Sequence, residues 1–282
     1  MNLTSPTQVR GLLDELGIHP SRALGQNFLI DANVLRILVD AAQLTGDDHV
    51  LEVGPGLGVL TEVLAARAGR LVAVEKDRRL AAYLTERYAA TPAVEIISGD
   101  MLKQRFDDLG DGQLRKLVAN LPYRPGTRIL VDVVRSAVPP DLMVLTVQRE
   151  VADRLVAAVG SRDYGLLGVW VGRLYDAELV KVVSPTCFWP APAVNSAIVR
   201  LVRHDRHTLA SQDEAMFYAL TRYAFSMRRK QLATVLRKGP AGLQMDEAPS
   251  HDWLKAEGLP VTARPQALGV ACWCRLACKI QS

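Results

Sequence analysis

Between residues 48 and 147 the chain alternates short β-branched apolar runs with longer stretches whose apolar residues recur every three or four positions. The runs at 49–53, 71–75, 94–98, 116–119 and 142–147 predict strands, and segments such as 60–68 and 78–88 predict the helices between them. Strands that are apolar nearly throughout are buried on both faces, which predicts a mostly parallel sheet covered by helices on either side. Two further runs, 178–183 and 194–202, have no helix between them and predict an antiparallel hairpin at the sheet edge, giving seven strands. Ahead of the sheet, Ser5, Pro6, Gln8 and Gly17 predict a helix with a capping box and a left-handed stop. Asp31 then predicts the N-cap of an apolar helix carrying Val34, Leu35, Leu38 and Val39. After residue 206 the strand signal ends, and helices are predicted at 216–229 and 230–236, with Pro240, Pro249, Pro260 and Pro265 punctuating the rest. The expected organisation is an α/β domain over 1–205 and a small all-α domain over 206–282.

Composition changes this picture little. With 282 residues and 49% hydrophobic content the chain has ample material for a folded core and falls outside the disordered class. Its net charge of +4 suits a nucleic-acid partner without requiring one. Three of the four cysteines, Cys272, Cys274 and Cys278, crowd the C-terminus, but they lack the fourth ligand of a zinc site. Buried free thiols, with Cys187 the fourth, are therefore expected, and no metal. No apolar span long enough for a membrane occurs, so no membrane association is expected and a reducing cytoplasm is the expected compartment.

The chemistry starts at the end of the first strand, where Glu52-Val-Gly-Pro-Gly-Leu-Gly58 runs into a helix. Glycines 54, 56 and 58 permit a tight turn and a close ligand approach. The second strand ends at Glu75, twenty-one positions after Gly54, where a carboxylate can accept both hydroxyls of a ribose. A nicotinamide cofactor and S-adenosylmethionine both fit this pattern. Glu52 disfavours a pyrophosphate in the loop and tolerates a ligand carrying an ammonium and a sulfonium. The third strand ends in Ser98-Gly-Asp100, placing a second carboxylate where an adenine amino group would lie.

After the fourth strand comes Asn120-Leu-Pro-Tyr123. A short turn following a strand is the bland reading. The position beside the glycine turn favours another, the presentation of an exocyclic amino nitrogen to an electrophilic methyl group. The Asn120 side-chain oxygen and the Leu121 carbonyl each suit acceptance of one N–H, Pro122 stiffens the carbonyl, and Tyr123 offers a stacking face.

With these motifs the chain resembles the small-subunit branch of the ribosomal RNA adenine dimethyltransferase family. The resemblance is carried by Gly25-Gln-Asn-Phe-Leu29, Glu52–Gly58, Val74-Glu-Lys-Asp77, Ser98–Asp100 and Asn120–Tyr123. Further matches are Gln148–Leu155, Phe188-Trp-Pro-Ala-Pro192, Asn195–Arg200 and Phe225–Leu232, in the family's order. It implies a Rossmann-like class I methyltransferase domain that uses S-adenosyl-L-methionine to dimethylate N6 of two adjacent adenosines near the 3′ end of small-subunit (16S) rRNA. It further implies the immature 30S particle as partner and a chain that acts as a monomer. By the same resemblance Asn27 and Leu29 close over the cofactor, Gly54 and Gly56 face its methionine part, Glu75 its ribose, and Asp100 its adenine. Asn120 meets the methyl group and the target amine. Phe188 stacks on the flipped base opposite Tyr123, a core aromatic being the alternative. The chain departs from the family at Arg124-Pro-Gly126, where an Asn-Ile-Ser/Thr-like run is usual, and at Ala193, where a lysine is usual. Pro125 is expected to alter the start of the next helix and Arg124 to meet a phosphate.

Residues 203–238 hold eight Lys/Arg against three Asp/Glu, a local surplus larger than that of the whole chain. Arg228, Arg229 and Lys230 are consecutive within it and are expected on a helix, either gripping phosphates or forming a solvated face; the family's basic run favours RNA. Arg22 is a weaker candidate for RNA contact.

Overall fold

The computed structural model describes residues 3–20 and 25–281; Arg22 lies outside the described residues. In chain order its elements begin α1 (Pro6–Glu15), β1 (Phe28–Leu29), α2 (Ala32–Ala41), β2 (His49–Val53), α3 (Val59–Arg67), β3 (Arg70–Glu75), α4 (Arg78–Arg87) and β4 (Val94–Ser98). They continue with β5 (Lys116–Asn120), α5 (Gly126–Val134), β6 (Leu142–Gln148), α6 (Arg149–Leu155), α7 (Leu166–Gly172), β7 (Tyr175–Val183), β8 (Phe188–Trp189) and β9 (Ser196–Arg203). Four helices end the chain: α8 (Ser211–Ser226), α9 (Leu232–Arg237), α10 (Glu247–Ala256) and α11 (Val270–Gln281).

Seven strands form one sheet in the order β4-β3-β2-β5-β6-β9-β7. The pairs β2–β3, β2–β5, β3–β4 and β5–β6 are parallel, and β6–β9 is antiparallel. This matches the expected mostly parallel sheet, with the two late strands neighbours at one edge. Its interior is apolar because Val50, Leu71, Val118, Val144 and Ile198 turn into a core closed by Leu38 of α2 and Leu64 of α3. Asp31 caps α2 by accepting the Val34 N–H at 2.8 Å, and Asp77 caps α4 through the N–H groups of Arg79 and Leu80. Ser5 holds the N-cap position of α1 but makes no side-chain cap bond among the described residues, so the expected capping box is not formed from its side.

The chain divides into two compact units, Met1–Ala152 with Ala177–Arg203, and Asp153–Asp176 with His204–Ser282. The expected boundary near residue 205 thus lies close to the second crossing, but Asp153–Asp176 clusters with the C-terminal helices. Side-chain hydrogen bonds explain why. Tyr164 donates its hydroxyl to the Leu268 carbonyl at 3.0 Å, and the Trp170 indole N–H donates to Thr221 Oγ1 at 2.9 Å. Arg173, 4% exposed, pairs with Glu214 and donates to the Tyr218 hydroxyl. None of the helices among the described residues is long and apolar enough to cross a membrane. All four cysteines are free thiols, each pushed upward in pKa by burial.

The basic run corrects a second expectation. α8 ends at Ser226 and α9 begins at Leu232, so Arg228, Arg229 and Lys230 occupy the exposed turn between helices rather than a helix face. The chain must turn there because Leu232 is fully buried, with its N–H held by the Ala263 carbonyl at 2.8 Å.

Replacing Thr221 with Val is expected to strip the buried Trp170 N–H of its acceptor. That costs about 1–3 kcal/mol. Urea denaturation should show a lower midpoint; an unchanged midpoint would remove this bond from the account of the second unit.

Candidate active site

Parallel strands end at one edge of the sheet, and the crevice opens there, beside β2, where the chain order reverses. After β2 the backbone passes through Gly54 and Gly56 with φ of +69° and +61°, left-handed values that cost little only for glycine. A Cβ on Gly56 would stand 3.1 Å from the Phe28 ring, and one on Gly54 would stand 3.8 Å from Cδ of Pro122. The turn is therefore pressed between the N-terminal loop and the Asn120–Tyr123 turn.

Glu75, at the end of β3, is 6% exposed and holds this turn in place. Its Oε2 accepts the Gly56 N–H at 2.9 Å and its Oε1 accepts the Asp77 N–H at 2.8 Å. Burial pushes its pKa up, opposed by these two N–H donors and by that of Lys76. A carboxylate has about four acceptor sites, so capacity beyond these backbone donors remains for a ligand hydroxyl. Glu52 lies deeper, 2% exposed, and burial together with the nearby Glu75 charge pushes it up to about 8. Asp100 behaves oppositely. Its Oδ2 pairs with Lys76 Nζ at 2.8 Å, which holds the carboxyl below its ordinary value, while Oδ1 accepts the Leu102 N–H.

Asn120 is the last residue of β5. Its Nδ2 donates to the Asn27 carbonyl at 3.1 Å, tying the N-terminal loop across the crevice. Its Oδ1 is buried with no hydrogen-bond partner among the described residues. Leu121 donates its N–H to the Thr146 carbonyl, and the Pro122 carbonyl accepts the Gly126 N–H at 2.8 Å, which closes the turn. Pro125 is the N-cap of α5, so the Arg-Pro-Gly departure starts that helix instead of displacing it. Tyr123 is half-buried, and its hydroxyl pairs with Ser196 Oγ. Burial raises its pKa.

One cavity of about 400 Å³ is lined by Asn27, Leu29, Gly54, Gly56, Glu75, Asp100 and the four residues Asn120, Leu121, Pro122 and Tyr123. This volume lies within the usual range for a small-molecule pocket. Phe188 is not among its walls. It pairs with Leu29 in the short β1–β8 ladder and is 2% exposed in the apolar core, so the core alternative is the one realised here. The ladder turns it inward, while the neighbouring Trp189 lies under the Arg10 guanidinium. Arg228, Arg229 and Lys230 belong to the second unit. Sequence reasoning missed Phe28 as a pocket wall and Lys76 as the partner of Asp100. Both stand inside matched motifs, but only folding reveals which side chains face the crevice.

This sheet order, with β9 antiparallel to β6 and a glycine turn at the switch point, defines a Rossmann-like methyltransferase domain. The chain belongs to the ribosomal RNA adenine dimethylase family, whose model matches residues 19–254. It is 38% identical over 279 residues to ribosomal RNA small subunit methyltransferase A of Geobacillus thermodenitrificans, covering 96% of this chain and 94% of that one. The protein of the same name from Geobacter metallireducens is 42% identical over 238 residues, covering 82% and 86% of the two chains. Among solved structures, a dimethyladenosine transferase from Plasmodium falciparum superposes with a TM-score of 0.74 at 24% identity, covering 90% of this chain and 97% of that one. The 23S rRNA methyltransferase ErmE superposes with a TM-score of 0.69 at 26% identity, covering 91% and 100%.

An acid whose pKa is higher in the folded state than in the unfolded state binds its proton more tightly when folded. Stability is therefore lost as pH rises from the ordinary value of 4.5 through about 8. Glu52→Gln is expected to remove that loss, so its melting temperature should gain on the parent's as pH rises, in cofactor-free protein. A constant difference between the two across this interval would contradict a buried, protonated Glu52.

Proposed function

We propose that this protein transfers methyl groups from S-adenosyl-L-methionine to N6 of two adjacent adenosines near the 3′ end of 16S rRNA, two to each. The reading includes the immature 30S particle as substrate and a monomer working in the cytoplasm. The observation that carries the reaction is the buried, unpartnered Oδ1 of Asn120 in the pocket wall, beside the glycine turn. A buried acceptor without a partner is costly, so a ligand N–H is its natural complement. The names and identities of the relatives support the small-subunit reading, while the likeness to ErmE supports a large-subunit alternative.

The residues fit the cofactor. Gly54 and Gly56 line the pocket with bare backbone in a left-handed turn, against which the methionine part would lie. Glu75 stands at the strand end where a ribose hydroxyl would meet a carboxylate with acceptor capacity left, and Asp100 accepts an adenine amino group at the cost of sharing its Lys76 partner. Asn27 and Leu29 cover the pocket from the N-terminal loop. The pocket acids Glu52 and Glu75 suit a ligand that brings its own positive charge. When bound, S-adenosylmethionine supplies a methyl group made electrophilic by its sulfonium.

The remaining work falls to Asn120–Tyr123. The N6 lone pair of adenine is delocalised into the ring, which makes the nitrogen a poor nucleophile. Asn120 Oδ1 accepts one N–H and the Leu121 carbonyl the other, drawing the nitrogen toward tetrahedral geometry and aiming its lone pair at the methyl group. Pro122 fixes the direction of that carbonyl, and Tyr123 stacks on the base. No strong base is needed, because the amino proton becomes acidic only once nitrogen has gained the methyl group, and solvent then removes it. Incubation with labelled S-adenosylmethionine and immature small subunits, followed by mapping of the labelled base, tests this reading; label in large-subunit RNA alone would replace it with the alternative.

Asn120→Ala is expected to slow methyl transfer by about 10²-fold or more, the scale of one positioned catalytic group, while cofactor affinity changes little. Single-turnover rates and calorimetry measure the two separately, and transfer at the parent rate would refute the role.

RNA binding by the basic turn is tested with Arg229 and Lys230, since the Arg228 guanidinium already donates to the Arg162 carbonyl. Replacing both with Ala should reduce the log–log salt slope of subunit binding by roughly 0.7–0.9 for each phosphate that is no longer neutralised. Cofactor affinity should stay constant, because the pocket is built from the first unit. An unchanged slope would make the turn a solvated surface.

A further inference from the structure

We propose that Ser196 is a positioning residue for the target base: its hydroxyl, paired with that of Tyr123, fixes the plane of the ring on which the adenine lies. The inference rests on the stacking role given to Tyr123 above.

Tyr123 sits in a turn, and its backbone is fixed from two sides. Pro122 precedes it, and the Gly126 N–H, donated to the Pro122 carbonyl at 2.8 Å, closes the turn after it. Those neighbours leave rotation about χ1 and χ2 to the side chain, so the plane of the ring depends on what holds its far end. That end is the hydroxyl, and Ser196 Oγ is its partner, 73 positions away in sequence.

Ser196 is suited to act as an anchor. It is fully buried, and it opens β9 opposite Gln148 in the antiparallel ladder with β6. The carbonyl of the preceding residue, Asn195, accepts the Arg149 N–H at 2.9 Å, so the backbone is pinned on entry to the strand. A buried hydroxyl needs a partner, and each of the two supplies the other's. Ser196 is not among the walls of the pocket, so it acts on the base only through Tyr123. The nitrogen must meet the methyl group in line, and a tilt of the ring displaces the base that rests on it. Misplacement of about 1 Å can cost up to 10²-fold in rate.

The test uses the full chain with S-adenosylmethionine and immature small subunits, comparing Ser196→Ala, Tyr123→Phe, the double variant and Tyr123→Ala. Ser196→Ala and Tyr123→Phe should each lower kcat by about tenfold, with cofactor Kd and subunit KM near the parent values. The double variant should be no slower than either single variant, because both remove the same bond. Ser196→Thr, which keeps the hydroxyl, should recover most of the rate. Parent kcat in Ser196→Ala, or losses that multiply in the double variant, would overturn the inference; so would a lowered melting temperature with unchanged kcat per folded enzyme, which marks a purely structural bond. Should Ser196→Ala fail to fold, Tyr123→Phe leaves β9 intact and decides alone, parent kcat again overturning the proposal. Tyr123→Ala separates the two levels of the argument. If it keeps the parent rate, the stacking reading fails and takes the inference with it; if it is slow while Ser196→Ala is not, only the inference fails.

Discussion

β2 is paired on both sides, with β3 and with β5, and from Val50 to Val53 it is wholly buried. Everything at the site depends on this double pairing. Parallel strands place their carboxyl ends at one edge, and the chain leaves β2 toward β3 on one side while returning to β5 on the other. The glycine turn after β2, Glu75 after β3, Asp100 beyond β4 and Asn120 on β5 are thereby brought to one cavity although helices separate them in sequence. The short β1–β8 ladder and the bond from Asn120 to Asn27 then draw the N-terminal loop over the same edge.

Three acidic side chains set the electrostatics of that edge. Glu52 and Glu75 are buried and both raised in pKa, while Asp100 is held ionised by Lys76. Glu75 spends acceptor capacity on backbone N–H groups, which shapes the glycine turn. Asn120 adds an acceptor with no donor among the described residues. The pocket thus gathers the acceptor oxygens of Glu52, Glu75, Asp100 and Asn120 among its walls. It complements a ligand that carries hydroxyls, an amine and a positive charge, and a substrate that presents an amino group.

The run Arg124-Pro-Gly126 joins the turn at Asn120–Tyr123 to the start of α5. Pro125 occupies the N-cap position of α5, and a Cβ on Gly126 would stand 3.2 Å from Cβ of Leu121. The Gly126 N–H holds the Pro122 carbonyl, so the turn carrying Leu121 and Tyr123 is fixed to the start of a helix whose inner face is apolar.

The sequence by itself determined the strands, the glycine turn and the order of the site residues, because these follow from local chemistry. Apolar β-branched runs have few other conformations available once buried, Gly54 and Gly56 permit backbone angles that other residues resist, and Asp31 and Asp77 announce helix starts through their own side chains. Contacts between distant segments were decided only by the tertiary structure. Phe188 has the same local sequence whether it faces a pocket or a core, and its pairing with Leu29 turned it inward. Asp153–Asp176 joined the helical unit through the bonds of Tyr164 and Trp170 to residues far along the chain. The basic run became a turn because burying Leu232 required one. Lys76 with Asp100, and Tyr123 with Ser196, are likewise pairs that no local pattern encodes, since each partner's direction is set by the strand that carries it.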